Sequence, residues 1–214
     1  MPRRRVRDLN EVLERAAALR ALVLVAAGDA PPDGDLRFSP HELELLAQPP
    51  DEWDEQDAID ATWHGEALGT LGWAVSVYDA LPAYDQPFDH VAVARDMPLD
   101  GARLREAEEL ERARATARLW HWRGRTSLLA AEGSVDLPER WSSFDQLVAA
   151  TAMRGFEEGS LPAPLRGDFP AFGKIYRHLD ADQRSLALSI AAERHYALNW
   201  LLDGADWDEV TTDT

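Results

Sequence analysis

An all-α fold is predicted for this chain by three observations. Apolar residues recur at helical spacing through most of its length, no alternating apolar–polar run longer than a few residues appears, and several segments open on a helix-capping signal. About six helices are expected, three of them long, in a single compact helical domain spanning residues 1–214.

The first helix reads from Asp8 to Gly28, with Leu9, Val12, Leu13, Ala16, Leu19, Ala21 and Val23 on its apolar face and Gly28 as its stop. Ser39-Pro40-His41-Glu42 opens a short second helix ending near Gln48, since the hydroxyl can cap, proline suits the first position and Glu42 can complete a capping box. Acidic residues at 51, 52, 54, 55, 57 and 60 follow, and complement the dipole of the helix they introduce. That helix, Asp57 to Leu81 with Pro82 as its end, should be central, because bulky residues surround much of its circumference. Gly65, Gly69, Gly72 and Ser76 line one of its faces. A glycine inside a helix costs about 0.5–1 kcal/mol, so another helix or backbone should approach closely there.

After a short segment near Phe88 to Ala94, the longest helix is expected from Arg103 to Ala131, with Leu110, Ala113, Ala117, Trp120, Gly124 and Leu128 turned inward. Ser143 to Glu158 gives a further helix. Residues 159–178, rich in proline and glycine and without periodicity, should form an ordered connecting loop over the core. Asp180 and Gln183 can box the start of the last helix, which Gly204 ends.

Composition narrows the function classes. With 214 residues, 45% hydrophobic, the chain can bury a sizeable core without staples. The absence of cysteine excludes disulfides, thiolate nucleophiles and Cys-ligated metals, and fits a reducing compartment. The longest apolar run, Ala21 to Ala27, is too short to span a membrane, and the basic start leads into a charged amphipathic segment rather than a signal peptide. A cytoplasmic protein is expected, with residues 1–7 a flexible basic tail. The formal net charge is −17, which repels phosphates and anionic headgroups, so neither nucleic acid nor membrane is an expected partner. A basic protein is a better match, with Asp51, Glu52, Asp54, Glu55 and Asp57 as the candidate partner-binding residues. The same acidity would also serve solubility alone.

The last helix poses a problem in burial. On a wheel of about 100° per residue, Leu186, Ile190, Ala197, Trp200 and Leu201 share one side with Glu193 among them, whereas His195 and Asn199 lie opposite and Arg194 falls on the flank. A core-facing carboxylate needs a partner. Glu66 repeats the arrangement on the central helix: Leu71 and Trp73 follow it by five and seven positions, as Leu198 and Trp200 follow Glu193. The counter-charges can come from Arg118, Arg123, Arg125, Arg194 or His121, arginine being better suited to a carboxylate. Glu66, Trp73, Arg118, Trp120, Glu193, Arg194 and Trp200 are thus the expected polar core, fixing helix register. The same carboxylates could instead belong to a catalytic or ligand site, with Glu66, His121, Glu193, His195 and Asn199 as its members. No cofactor or metal is expected, because the chain has neither Glu-x-x-His nor His-Glu-x-x-His, and no nucleophile elbow or phosphate loop.

Several short strings occur together in order: Trp63-His64-Gly65-Glu66-Ala67-Leu68 with Leu71-Gly72-Trp73-Ala74, Leu119-Trp120-His121-Trp122, Phe172-Gly173-Lys174-Ile175-Tyr176, Glu193-Arg194-His195 with Ala197-Leu198-Asn199-Trp200, and Trp207-Asp208-Glu209-Val210 with Thr212-Asp213-Thr214. Through them the last three quarters of the chain resembles the uncharacterised domain-of-unknown-function family 4272. The resemblance implies a helical, soluble, mostly bacterial domain and supplies no activity. Where that family often has arginine after the first tryptophan, His64 stands here. Two functional expectations follow: an acidic protein-binding module, of the toxin-neutralising immunity type, or an enzyme or small-ligand binder built on the buried Glu, His, Arg and Asn residues.

Overall fold

The computed structural model describes residues 6–32, 34–135 and 137–214. Among them are seven α-helices: α1 (Leu9–Ala26), α2 (Pro40–Leu46), α3 (Glu55–Ala74), α4 (His90–Asp96), α5 (Ala107–Ala131), α6 (Phe144–Glu157) and α7 (Ala181–Asp203). The only strands among these residues are β1 (Pro170–Ala171) and β2 (Lys174–Ile175), and short 3₁₀ turns stand at Pro50–Glu52, Tyr176–His178 and Trp207–Glu209. The fold is all-α. None of its helices is long and apolar enough to cross a membrane among the described residues.

In space the long helices follow the order α1, α3, α7, α5, so α7 has a helix on each side, and α4 lies across α1 and α3. Buried Val12 and Leu19 of α1, Leu68 and Leu71 of α3, Leu110 and Trp120 of α5, and Ile190, Leu198 and Leu201 of α7 belong to one apolar cluster. Capping boxes start three helices, at Asp8 with Glu11, Ser39 with Glu42, and Asp180 with Gln183. Gly28 ends α1 in the left-handed region, its N–H reaching Val25 O and that of Asp29 reaching Leu24 O.

α3 stops seven residues before its expected end. Ser76 is left-handed (φ 62°) and donates to Trp73 O, while Val77 donates to Gly72 O, the two hydrogen bonds of a Schellman end with serine in glycine's place. The freed carbonyls of Ala74 and Val75 accept from Arg105 N and Arg103 N. That pairing holds residues 103–106 extended, so α5 begins at Ala107 instead of Arg103. Leu128, expected on the inward stripe of α5, is instead 50% exposed.

The glycine face of α3 is occupied by α4 and the residues before it. A Cβ on Gly65 would lie 2.3 Å from His90 Cβ, and one on Gly69 would lie 2.4 Å from the Phe88 ring. In the connecting stretch, β1 and β2 form a hairpin whose two-residue turn, Phe172 (φ 52°) and Gly173 (φ 68°), has the paired positive φ of a type I′ turn. The expected loose tail needs correction at its inner end. Arg7 donates from its backbone to Leu201 O (3.0 Å) and from Nε to Trp200 O (3.0 Å), and its guanidinium lies 4.3 Å from the Trp200 ring centre. Residues 1–5 of that tail lie outside the described residues.

Candidate functional site

Glu66 is fully buried, and three groups meet its carboxylate. Arg194 Nε donates to Oε1 (2.7 Å), Phe88 N donates to Oε2 (2.9 Å), and His90 Nε2 lies 3.3 Å from Oε2. Gly65 permits this, since only a residue without Cβ lets His90 lie so close over α3. Arg194 is equally buried, and its other nitrogens donate to Pro82 O (2.5 Å) and Gln86 O (3.2 Å). Burial acts to raise the Glu66 pKa, but the His90 contact, the Arg194 charge and the Phe88 amide hold it below the ordinary carboxylate value. The ion pair therefore fastens the 82–88 loop between α3 and α7.

Glu193 is elsewhere. Its side chain is 23% exposed, and its neighbour is His64, Nδ1 to Oε2 3.5 Å, an ion-pair distance at which neither atom makes a hydrogen bond. Burial acts to lower the His64 pKa, but the Glu193 carboxylate beside it, and then Glu42 against the opposing charge of Arg15, hold it above its ordinary value. Glu42 itself is buried: one oxygen closes the capping box on Ser39 N (2.8 Å) and the other accepts from Arg15, whose guanidinium covers the Trp207 ring. The matching strings around Glu66 and Glu193 thus do not bring the two carboxylates to one centre. Glu66 takes the arginine next to Glu193, and Glu193 takes the histidine two residues before Glu66.

His121 and His195 form a third cluster, on the other side of α7. Their Nδ1 atoms are 3.1 Å apart, and Asn199 Nδ2 lies 3.2 Å from His195 Nε2 and donates to Thr211 O (2.7 Å). A carbonyl can only accept, so the amide NH₂ faces Thr211 and His195 Nε2 must be the unprotonated nitrogen. His195 then carries its proton on Nδ1 and donates it to His121 Nδ1. Burial, followed by the charges of His121, Arg118 and Arg114, pushes the His195 pKa down to about 4; burial and Arg125 also lower that of His121. His195 and Asn199 line a cavity of about 410 Å³ with Arg114, Arg118, Asp203 and Asp213. Arg118, expected in the core, is exposed at this rim. The five residues named for a catalytic site therefore fall into three places, and no one pocket holds them all.

The three expected core tryptophans are buried, each against a partner. Arg105 covers Trp73 (4.8 Å), Arg7 covers Trp200, and Trp120 stacks on Tyr84 with ring centres 5.1 Å apart. One buried carboxylate was not legible. Asp168, in the connecting stretch, accepts from Arg123 Nε (2.8 Å) and Nη2 (3.0 Å), from Arg177 N and from Phe169 N. Burial acts to raise its pKa, but Arg123 and the two amides hold it below the ordinary value. The usable signal was Arg123, which sits between Trp120 and Gly124 on the inward face of α5 and so required an acid.

The acidic segment before α3 is on the surface. Asp51, Glu52, Asp54 and Glu55 are exposed, Asp57 is half-buried, and Asp54 caps α3 by accepting from Asp57 N (2.8 Å). None of the five forms an ion pair among the described residues. One turn further on, Gln56, Ile59, Asp60, Trp63, Asp182 and Glu193 line a groove of about 560 Å³ between α3 and α7, and no Lys or Arg lines it. Ile59 is 44% exposed beside it.

The family model described as "Domain of unknown function (DUF4272)" matches residues 2–136. The strings around Glu66 and Trp120 lie inside that span, whereas those at 172–176, 193–200 and 207–214 lie beyond it. No curated protein and no solved structure matches the chain.

Proposed function

The chain belongs to the DUF4272 family, whose description carries no activity, and we propose from its own surface that it is an acidic module that binds a basic protein. The observation that carries this reading is the groove between α3 and α7. Asp60, Asp182 and Glu193 give it negative charge without a lining cation, and Ile59 and Trp63 give it apolar area. Glu193 lines the groove with a side chain 23% exposed and its Oε2 turned to His64, so its carboxylate adds to the acidic lining that an incoming Arg or Lys meets. The unpaired Asp51–Asp57 segment extends the same sign of field along the N-terminal end of α3, and a net charge of −17 steers a basic partner towards it. Neutralisation of a basic toxin is the form of this function that the small size and acidity favour.

The test uses purified protein as bait in an extract of its native host, beside the triple variant Asp57→Asn, Asp60→Asn, Asp182→Asn. A basic protein should be retained by the wild type at low salt, released at high salt, and lost by the variant. Retention of no basic protein at low salt, or equal retention by the variant, overturns the reading.

A further inference from the structure

We propose a second, independent site: a small-molecule pocket for an organic amine, between the 81–85 loop, α5 and the β1–β2 hairpin. Leu81, Pro82, Tyr84, Trp120, Pro162 and Pro170 give a mainly apolar lining to a cavity of about 330 Å³, at the small end of ligand pockets. Asp85 is the one charged residue in the lining. Its Oδ2 accepts from Phe172 N (2.5 Å), while Oδ1 is buried and has no hydrogen-bond partner. A lone carboxylate in an otherwise apolar lining selects a ligand that brings a donor, most strongly a charged one.

The walls are held in place from both sides. Arg194 fixes the 82–86 loop through the carbonyls of Pro82 and Gln86. On the other side Phe172 occupies the left-handed region, unfavourable for a residue with a side chain, and this turns its N–H onto Asp85. Trp120 and the prolines supply apolar surface against which the body of the ligand can pack, while the Tyr84 ring is already engaged by Trp120, with ring planes 9° apart, and by the Arg194 guanidinium 4.7 Å from its centre. The ligand class is therefore a protonated primary amine on a compact aromatic or aliphatic body.

The probe is 2-phenylethylamine, with 2-phenylethanol as its neutral counterpart and phenylacetate as its anionic one, followed through the Trp120 indole and Tyr84 ring resonances of the full chain. The amine should bind in the millimolar range or tighter, the alcohol roughly tenfold or more weakly, and phenylacetate not at all. Asp85→Asn, which keeps an acceptor for Phe172 N, should reduce amine binding to the level of the alcohol. Ala83→Phe, at an exposed position on the cavity rim, should block all binding with an unchanged Tm. The proposal is overturned if the amine leaves these resonances unmoved, if phenylacetate binds as well as the amine, or if Ala83→Phe binds the amine like the wild type.

Discussion

Arg194 contributes through the charge it neutralises. Replacing it with methionine keeps most of the volume but leaves Glu66 buried without its cation and frees the 82–86 loop, so a loss of about 3–5 kcal/mol is expected in chemical denaturation. A loss under about 1 kcal/mol would mean that His90 and Phe88 N suffice for Glu66. The histidines predict opposite pH dependences. His195 has a folded pKa near 4, below the ordinary 6.5, so between those values the unfolded chain binds the extra proton. Its stabilisation is full above pH 6.5 and falls by on the order of 3 kcal/mol as pH drops through 4. His64, raised above 6.5, contributes stability below that pH and loses it as pH rises through its folded value. Imidazole NMR titration checks both: a His195 midpoint at or above 6.5, or a His64 midpoint below it, would contradict the geometry. Helical periodicity located Glu66, Trp73 and Trp200 but put Arg194 on a flank, because a wheel assumes one buried side and α7 has two. Asp168 lies 45 residues from Arg123 in an aperiodic stretch, where spacing carries no information about pairing.

At the scale of elements, the glycines of α3 show how a local cost becomes a packing requirement. Gly→Ala on an exposed helix stabilises by roughly 1 kcal/mol. At Gly65 the sign should reverse, since the new methyl would lie 2.3 Å from His90 Cβ and 2.8 Å from its Cα, and α4 would have to move away. That movement also withdraws His90 from Glu66, so Gly65→Ala should lower Tm by several degrees and shift the His90 imidazole signal. A neutral or raised Tm would show that α4 is loosely seated. The close approach at this face was readable from three glycines at four- and three-residue spacing, although the approaching element was not, because α4 is only seven residues long. The end of α3 was unreadable for a related reason. Serine takes the place of glycine at its left-handed cap, and the carbonyls it exposes are satisfied by Arg103 and Arg105, nearly thirty residues on.

At the scale of the molecule, the family span and the packing divide the chain differently. Residues 2–136 contain α1 to α5, yet α3 and α5 meet chiefly through α7, which lies outside that span. Ile190, Leu198 and Leu201 of α7 are fully buried, and Arg194 supplies the cation for Glu66. The C-terminal segment closes the other end: Trp207 packs edge-on against Tyr196 and Trp200, with Arg15 of α1 over its ring. A fragment ending at residue 136 would expose the apolar faces of α3 and α5 to water and leave Glu66 buried or hydrated without a counter-charge, two penalties with no compensating contact. The expectation is that the 1–136 fragment melts without a cooperative transition and binds a hydrophobic dye, while the full chain unfolds in one step by circular dichroism and calorimetry. A cooperative transition in the fragment would make α7 an accessory to a self-sufficient unit. Its absence would mean that the matched span depends on the last helix for both its core and the buried cation that pairs with Glu66.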